Sequence, residues 1–326
     1  MTDLVNQQQA EISVVVPVFR SKDMLPMLYE RLAAALAPID PHFELIFVED
    51  DGGDGSWEWV VELSKKDPRV KGIMLARNYG QHNALLSGIR AATGKVTVTI
   101  DDDLQNPPEE ICNLLGRLTE GFDVVYGTPD KGQHGLLRNL ASRATKLALQ
   151  SAMGARTAGK VSAFRAFRTR LRDAFADYRS PSVNIDVLLT WGTTRFGAVT
   201  VEHHPRARGE SSYTLTKLIS HAINMMTGFS TLPLKVASLF GLVFSLVGGG
   251  ILSYVLLKYF FVGSVVPGFA FLASMIALFS GVQLFALGVI GEYLARMHFR
   301  TMDRPPYTQR ATTPMRQLAG NSDVIF

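Results

Sequence analysis

Two short stretches concentrate the acids of this chain, Glu49-Asp50-Asp51-Gly52-Gly53-Asp54 and Asp101-Asp102-Asp103-Leu104-Gln105. Three adjacent carboxylates repel one another unless a cation lies among them, and an all-oxygen set of this kind suits Mg2+ or Mn2+. The other reading of the second stretch is a solvated acidic cap ahead of Pro107-Pro108. No G-x-G-x-x-G follows the first apolar run and no G-x-x-x-x-G-K-[ST] occurs, so dinucleotide and P-loop chemistry lack support. Cys112 is the single cysteine, which excludes an intrachain disulfide and a Cys-based zinc site. No Ser/His/Asp or Cys/His arrangement stands out. His203-His204, adjacent in a predicted strand, point to opposite faces and make a poor ligand pair.

The elements that must position these residues alternate. Ile12–Val18, Phe43–Glu49, Val70–Ala76, Lys95–Ile100 and Phe122–Gly127 read as strands, with helices over 23–37, 55–66, 80–93 and 108–120. Runs such as Val14-Val15-Val16 and Leu45-Ile46-Phe47-Val48 fit strands buried on both faces, hence an α/β domain whose mostly parallel sheet is covered by helices. Ligands of such sheets sit at the carboxyl ends of the strands. The informative segments fall there: Pro17-Val18-Phe19 after the first strand, the Glu49 stretch after the second, Arg77-Asn78-Tyr79-Gly80 after the third and the Asp101 stretch after the fourth.

The 326 residues are 47% hydrophobic and 19% charged, and the shortage of charge lies at one end. From Pro233 on, seven Lys or Arg face three acids, whereas the first 232 residues carry 26 charges of each sign. The pI of about 9.1 therefore belongs to the apolar end, which argues against a nucleic-acid partner. Val236–Leu257 is free of charge and as a helix measures about 33 Å, enough for a bilayer core. The uncharged residues between Lys258 and Glu292 are interrupted at Gly263 and Pro267-Gly268.

Two transmembrane helices, about 236–257 and 269–291, are thus expected as a hairpin within 234–292. A helical pair buried in a soluble core is the alternative, and the flanking Tyr254, Tyr259, Phe260, Phe261 and Tyr293 favour the membrane. The polar segment 1–10 has no apolar run behind a basic start, so the 11–205 domain is expected in the cytosol. An even number of spans returns the basic tail 293–326 to the same side, in keeping with its five arginines. Leu215, Leu218, Ile219, Ala222, Ile223 and Met226 recur at helical spacing, which makes 206–233 a juxtamembrane amphipathic segment or a helix packed on the globular domain.

Taken in order, V-V-V-P-V-F, E-D-D-G-G-D-G-S, R-N-Y-G-Q-H-N-A, D-D-D-L-Q-N-P-P-E-E, F-R-A-F-R at 164–168, R-G-E-S-S-Y at 208–213 and L-G-V-I-G-E-Y-L-A-R at 287–296 resemble the polyisoprenyl-phosphate glycosyltransferases. These are family 2 enzymes of GT-A fold that include dolichyl-phosphate mannose synthase and the bacterial undecaprenyl-phosphate glucosyltransferases and aminoarabinose transferases. The likeness runs from about Ile12 to Tyr307, and R-N-Y-G-Q-H and D-L-Q-N-P-P-E-E bring it nearest the bacterial two-span members.

The resemblance implies inverting, metal-dependent transfer of a sugar from a nucleotide sugar to a polyprenyl phosphate, in cell-envelope polysaccharide chemistry at the cytosolic face of the inner membrane. It sets the base and ribose against Pro17, Val18, Glu49 and Asp50, with His82 as a cap, pocket residue or plain core residue, and with Asp102 beside the donor in a structural role. Asp101, Asp103 and Gln105 occupy the D-x-D-x-Q positions for Mg2+ or Mn2+ and the donor diphosphate. Arg165 and Arg138, with Arg143 as a further candidate, fall to the acceptor phosphate, and Arg208 and Ser211 to a segment closing over diphosphate or acceptor. Asp101, Asp103 and Arg165 form the implied catalytic set. A phosphate monoester is largely ionised at neutral pH, so such a nucleophile hardly needs a base. Some two-span relatives are tetramers, so a homo-oligomer is expected.

Two positions depart from the pattern. Relatives read P-V-Y-N-E where this chain has Pro17-Val18-Phe19-Arg20-Ser21, and they carry an aspartate where this chain has Gly159. A processive polysaccharide synthase would show Q-x-x-R-W, and none of Trp57, Trp59 and Trp191 follows an arginine in that way. A noncatalytic membrane scaffold is opposed by the intact Asp101, Asp103 and Gln105 set.

Overall fold

The computed structural model describes residues 10–129, 161–204, 232–262 and 268–313. Arg138, Arg143, Gly159, Arg208, Ser211 and nearly all of the 206–233 segment lie outside them. The described residues fall into two compact units, one of 10–129, 161–204 and 304–313, the other of 232–262 and 268–303.

In the first unit, β1 (Ile12–Val18) and β2 (Glu44–Glu49) are buried along their whole lengths, as strands covered on both faces must be. Alternation sorts their side chains: Val14, Val16, Leu45 and Phe47 join one core, and Val15, Ile46 and Val48 the other. The first core is closed by α1 (Leu25–Leu36), which buries Leu25, Leu28, Leu32 and Leu36 on a single stripe. α2 (Ser56–Lys66) leads into β3 (Val70–Leu75). The second core is closed by α3 (Gln81–Ala91) through Leu85, Leu86 and Ile89. A Cβ on Gly88 would stand 2.3 Å from Val15 Cγ1, so only glycine lets α3 lie this close to the sheet.

β4 (Val96–Thr99), α4 (Ile111–Thr119) and β5 (Val124–Pro129) complete the elements anticipated from the sequence. β6 (Arg165–Arg168), α5 (Ile185–Gly192) and β7 (Phe196–Val201) follow. With β8 (Gln309–Thr313), the sheet among the described residues runs β7-β5-β6-β4-β1-β2-β3-β8. It is the mostly parallel α/β sheet expected, with β6 antiparallel to β4 and β5, and β8 antiparallel to β3. β8 falls within the expected basic tail 293–326, since its sequence Gln-Arg-Ala-Thr-Thr lacks the apolar run of an inner strand. An edge strand needs no such run, and threonine is at home there.

The second unit holds α6 (Leu232–Val262) and α7 (Phe269–Thr301), both longer than the spans read from charge spacing. Pro233–Lys258 and Leu278–His298 are long and apolar enough to cross a membrane. The two helices meet through Phe244 and Phe279, whose rings pack edge to face at 6.0 Å.

Candidate active site

The carboxyl ends of β1, β2, β3 and β4 do converge. A cavity of about 340 Å³ is lined by Pro17, Val18, Asp50, Gly80, Asp101 and Asp103, among others. Phe19, Asp102 and Asp103 also border a second cavity of about 580 Å³ that carries Arg20, Lys22 and Asp54. The acidic stretch after β4 thus stands between two hollows.

Each acid has a distinct employment. Asp50 is buried and accepts from the Tyr79 and Gly80 N–H groups, both at 2.7 Å, while burial pushes its pKa up against those bonds. Gly80 has φ +90°, which a side chain would resist, and this turns the loop into α3. Glu49 is fully buried and accepts from Asp51 and Gly52 N–H, so it shapes the loop after β2 rather than lining the cavity; burial raises its pKa too. Asp102 accepts from the Phe19 N–H at 3.1 Å and from the Ser21 hydroxyl, which staples the loop after β1 to the loop after β4. Its role in the structure is this staple, and burial raises its pKa.

Asp101 accepts from Gln81 Nε2 at 2.6 Å. Its pKa is pushed up to about 7 by burial and by the neighbouring Asp103 and Asp102, against the opposing pull of Arg165 and the Gln81 bond. Asp103 accepts from the Gln105 N–H at 3.2 Å across Leu104, which sits at φ 57°. Gln105 in turn accepts the His204 N–H on its carbonyl at 2.8 Å.

The structure places Arg165 otherwise than as an open grip for a phosphate. As the first residue of β6 it is 1% exposed, its Nη1 is bonded to Asp186 of α5, and its Nε donates to the Thr99 hydroxyl at 3.1 Å. Asp186 also accepts from the Tyr126 hydroxyl at 3.0 Å, and burial followed by the Asp186 charge lifts Tyr126 well above its ordinary pKa. His82 accepts the Ile185 N–H at 3.4 Å and so meets the start of α5. His203 and His204 lie past the end of β7, not within a strand, and His203 meets Asn106 at 3.5 Å.

Residues 13–179 match the model of glycosyl transferase family 2, a span that contains every segment of the cavity and Arg165. The chain belongs to glycosyl transferase family 2. It is 32% identical to an undecaprenyl-phosphate 4-deoxy-4-formamido-L-arabinose transferase of Yersinia enterocolitica, over 96% of this chain and 97% of that one. Proteins of the same name from Aeromonas hydrophila and Pectobacterium carotovorum are 33% and 34% identical, over 94% and 93% of this chain and 97% and 95% of theirs. A solved glucosyl-3-phosphoglycerate synthase of Mycobacterium tuberculosis is 18% identical over 67% of this chain and 79% of that one, with a TM-score of 0.49.

Among the described residues of this glycosyltransferase, no three His, Cys, Asp or Glu side chains form a ready metal cage. Asp101 and Asp103 nonetheless suit a divalent ion of the Mg2+ kind, which takes one or two carboxylates and completes its shell with substrate phosphates. What favours it is the setting of Asp101, a buried carboxyl lifted first by burial and then by the Asp103 and Asp102 charges beside it, which a cation there would offset. Sequence reasoning missed Gln81, Ser21 and Asp186 as partners. Gln81 had a signal, since it opens a helix directly after the glycine of R-N-Y-G-Q-H; Asp186 had none.

Proposed function

We propose that this glycosyltransferase moves a sugar from a nucleotide sugar to a polyprenyl phosphate, undecaprenyl phosphate foremost, at a membrane surface. The observation that carries the reading is full-length similarity: relatives named as undecaprenyl-phosphate sugar transferases align with over nine-tenths of this chain, so with the two apolar helices as well as the sheet.

In this reading the 340 Å³ cavity takes the nucleotide, with Asp50 and the β1 end against base and ribose and Asp101 and Asp103 facing the diphosphate; Gln105, outside the cavity lining, joins them from the same loop. A divalent ion held by Asp101 and Asp103 would act as a Lewis acid on the leaving nucleoside diphosphate. The acceptor phosphate, ionised already, displaces that leaving group at the anomeric carbon with inversion. Asp102 and Asp50 keep the loops of the β1 and β3 ends in place during this step. Acceptor contacts by Arg138, Arg143, Arg208 and Ser211 belong to the same proposal, as does a homo-oligomer. Arg165 serves it from beneath, by fixing Thr99 and α5 behind Asp101.

Membranes containing the protein, given undecaprenyl phosphate and a panel of radiolabelled UDP-, GDP- and dTDP-sugars, should yield a labelled lipid with one donor. Equal labelling of a free sugar or of protein would overturn the lipid-acceptor reading.

The pairing of β8 with β3 supports an even number of crossings, because residues 309–313 must lie on the same side of the bilayer as the sheet. We place both in the cytosol. The exposed Cys112 should therefore resist an impermeant maleimide in intact cells, whereas Ser264→Cys, in the link between the helices, should react. Labelling of Cys112 without lysis would reverse the orientation.

A further inference from the structure

The segment Ala76–Ser87, which contains the loop Arg77–Gly80, is fastened at its two ends to Thr308 and Gln309, after the apolar helices. Before the loop, the Ala76 N–H donates to the Thr308 carbonyl at 2.9 Å. Beyond it, Gln309 Nε2 donates to the Ser87 hydroxyl of α3 at 3.1 Å. The β3 to β8 ladder shifts register between Met74 and Leu75, where the loop begins, and the buried Gly72 N–H donates to the Thr313 hydroxyl at 2.9 Å. Tyr307 packs on the core beneath α3, with the Arg90 guanidinium 5.8 Å over its ring. Hydrogen bonding to the Thr308 side chain is the main influence lowering the Tyr79 hydroxyl pKa. Between these anchors lie the two amides that hold Asp50.

We propose that Thr308 and Gln309 are positioning residues of the donor site, setting the Arg77–Gly80 loop so that its amides fix Asp50 toward the nucleotide. The donor pocket is then completed only after the chain has returned from α7, and the edge of β3 is closed against other strands by the same element. This inference rests on the reading that the 340 Å³ cavity takes the nucleotide.

The test uses the full-length protein in detergent with Mg2+ and whichever of UDP, GDP and dTDP the wild type binds tightest, by titration calorimetry. Gln309→Ala and Tyr79→Phe should each raise Kd about threefold to tenfold, the worth of one ordinary hydrogen bond. The donor KM should rise likewise while kcat at saturating donor and Tm stay near wild type, and Gln309→Glu, which can accept from the Ser87 hydroxyl where glutamine donates to it, should recover most of the affinity. Asp50→Asn is the control. If it leaves Kd unchanged, the donor-site reading fails and this proposal with it. If Asp50→Asn weakens binding and neither Gln309→Ala nor Tyr79→Phe does, the role of β8 alone is overturned. A fall in Tm with unchanged Kd overturns it too, and should Gln309→Ala not fold, Tyr79→Phe decides.

Discussion

Asp103→Asn will lower sugar transfer by about 100-fold to 1,000-fold, the usual cost of removing one group that stabilises charge in a transition state. The fold will survive it. Burial first, and then the Asp103 and Asp102 charges, push Asp101 up to about 7, so taking away the Asp103 charge relieves part of that repulsion and should leave Tm equal to or above that of the wild type. A loss of activity with undiminished stability separates a role in the reaction from a structural one. Excess EDTA should stop transfer by the wild type, and restored Mg2+ or Mn2+ should return it. Full activity in EDTA, or a Tm that collapses in step with activity, would remove the carboxylates from the reaction.

Arg165→Ala will act in the opposite way, on folding before function. The guanidinium is 1% exposed and bonded to an Asp186 carboxylate that is itself buried. Removing one partner leaves the other charge stranded, which costs about 3–5 kcal/mol. For a domain of this size that corresponds to a fall in Tm of roughly 6–20 °C. The double variant Arg165→Met with Asp186→Leu should regain part of the loss, because it strands no charge, the buried Tyr126 hydroxyl being left without its Asp186 acceptor. Thermal unfolding of the solubilised protein checks both. A wild-type Tm in Arg165→Ala together with weakened use of the acceptor would restore this arginine as a direct phosphate ligand.

Strand positions were legible where the chain is most buried. β1 carries the bounds read from the sequence, Ile12–Val18, and β2 begins one residue later than the reading, because strands enclosed on both faces show as unbroken apolar runs. β8 was not legible. Its residues are polar, its partner lies over 200 residues earlier, and nothing local distinguishes it from a tail. His203 and His204 show the complementary error: they follow closely on the β-rich Val199-Thr200-Val201, but β7 ends at Val201.

The sequence by itself determined the family, the parallel α/β scaffold, the two apolar helices and the placing of Pro17, Asp50, Asp101 and Asp103 at strand ends, because each rests on residues adjacent in the chain or on periodicity within one element. Tertiary structure alone decided which partner each polar group takes. Gln81 reaches Asp101 from 20 residues away, Ser21 reaches Asp102 from 81, and Arg165 meets Asp186 across 21. The first and last depend on how α3 and α5 pack on the sheet, and the second on two loops meeting at the strand ends; Gly88 sets the approach of α3, and no local pattern encodes these distances. Hence Arg165, given to the acceptor phosphate by the resemblance of its motif, lies in a buried ion pair, and a polar stretch after the apolar helices forms the strand that borders the Arg77–Gly80 loop.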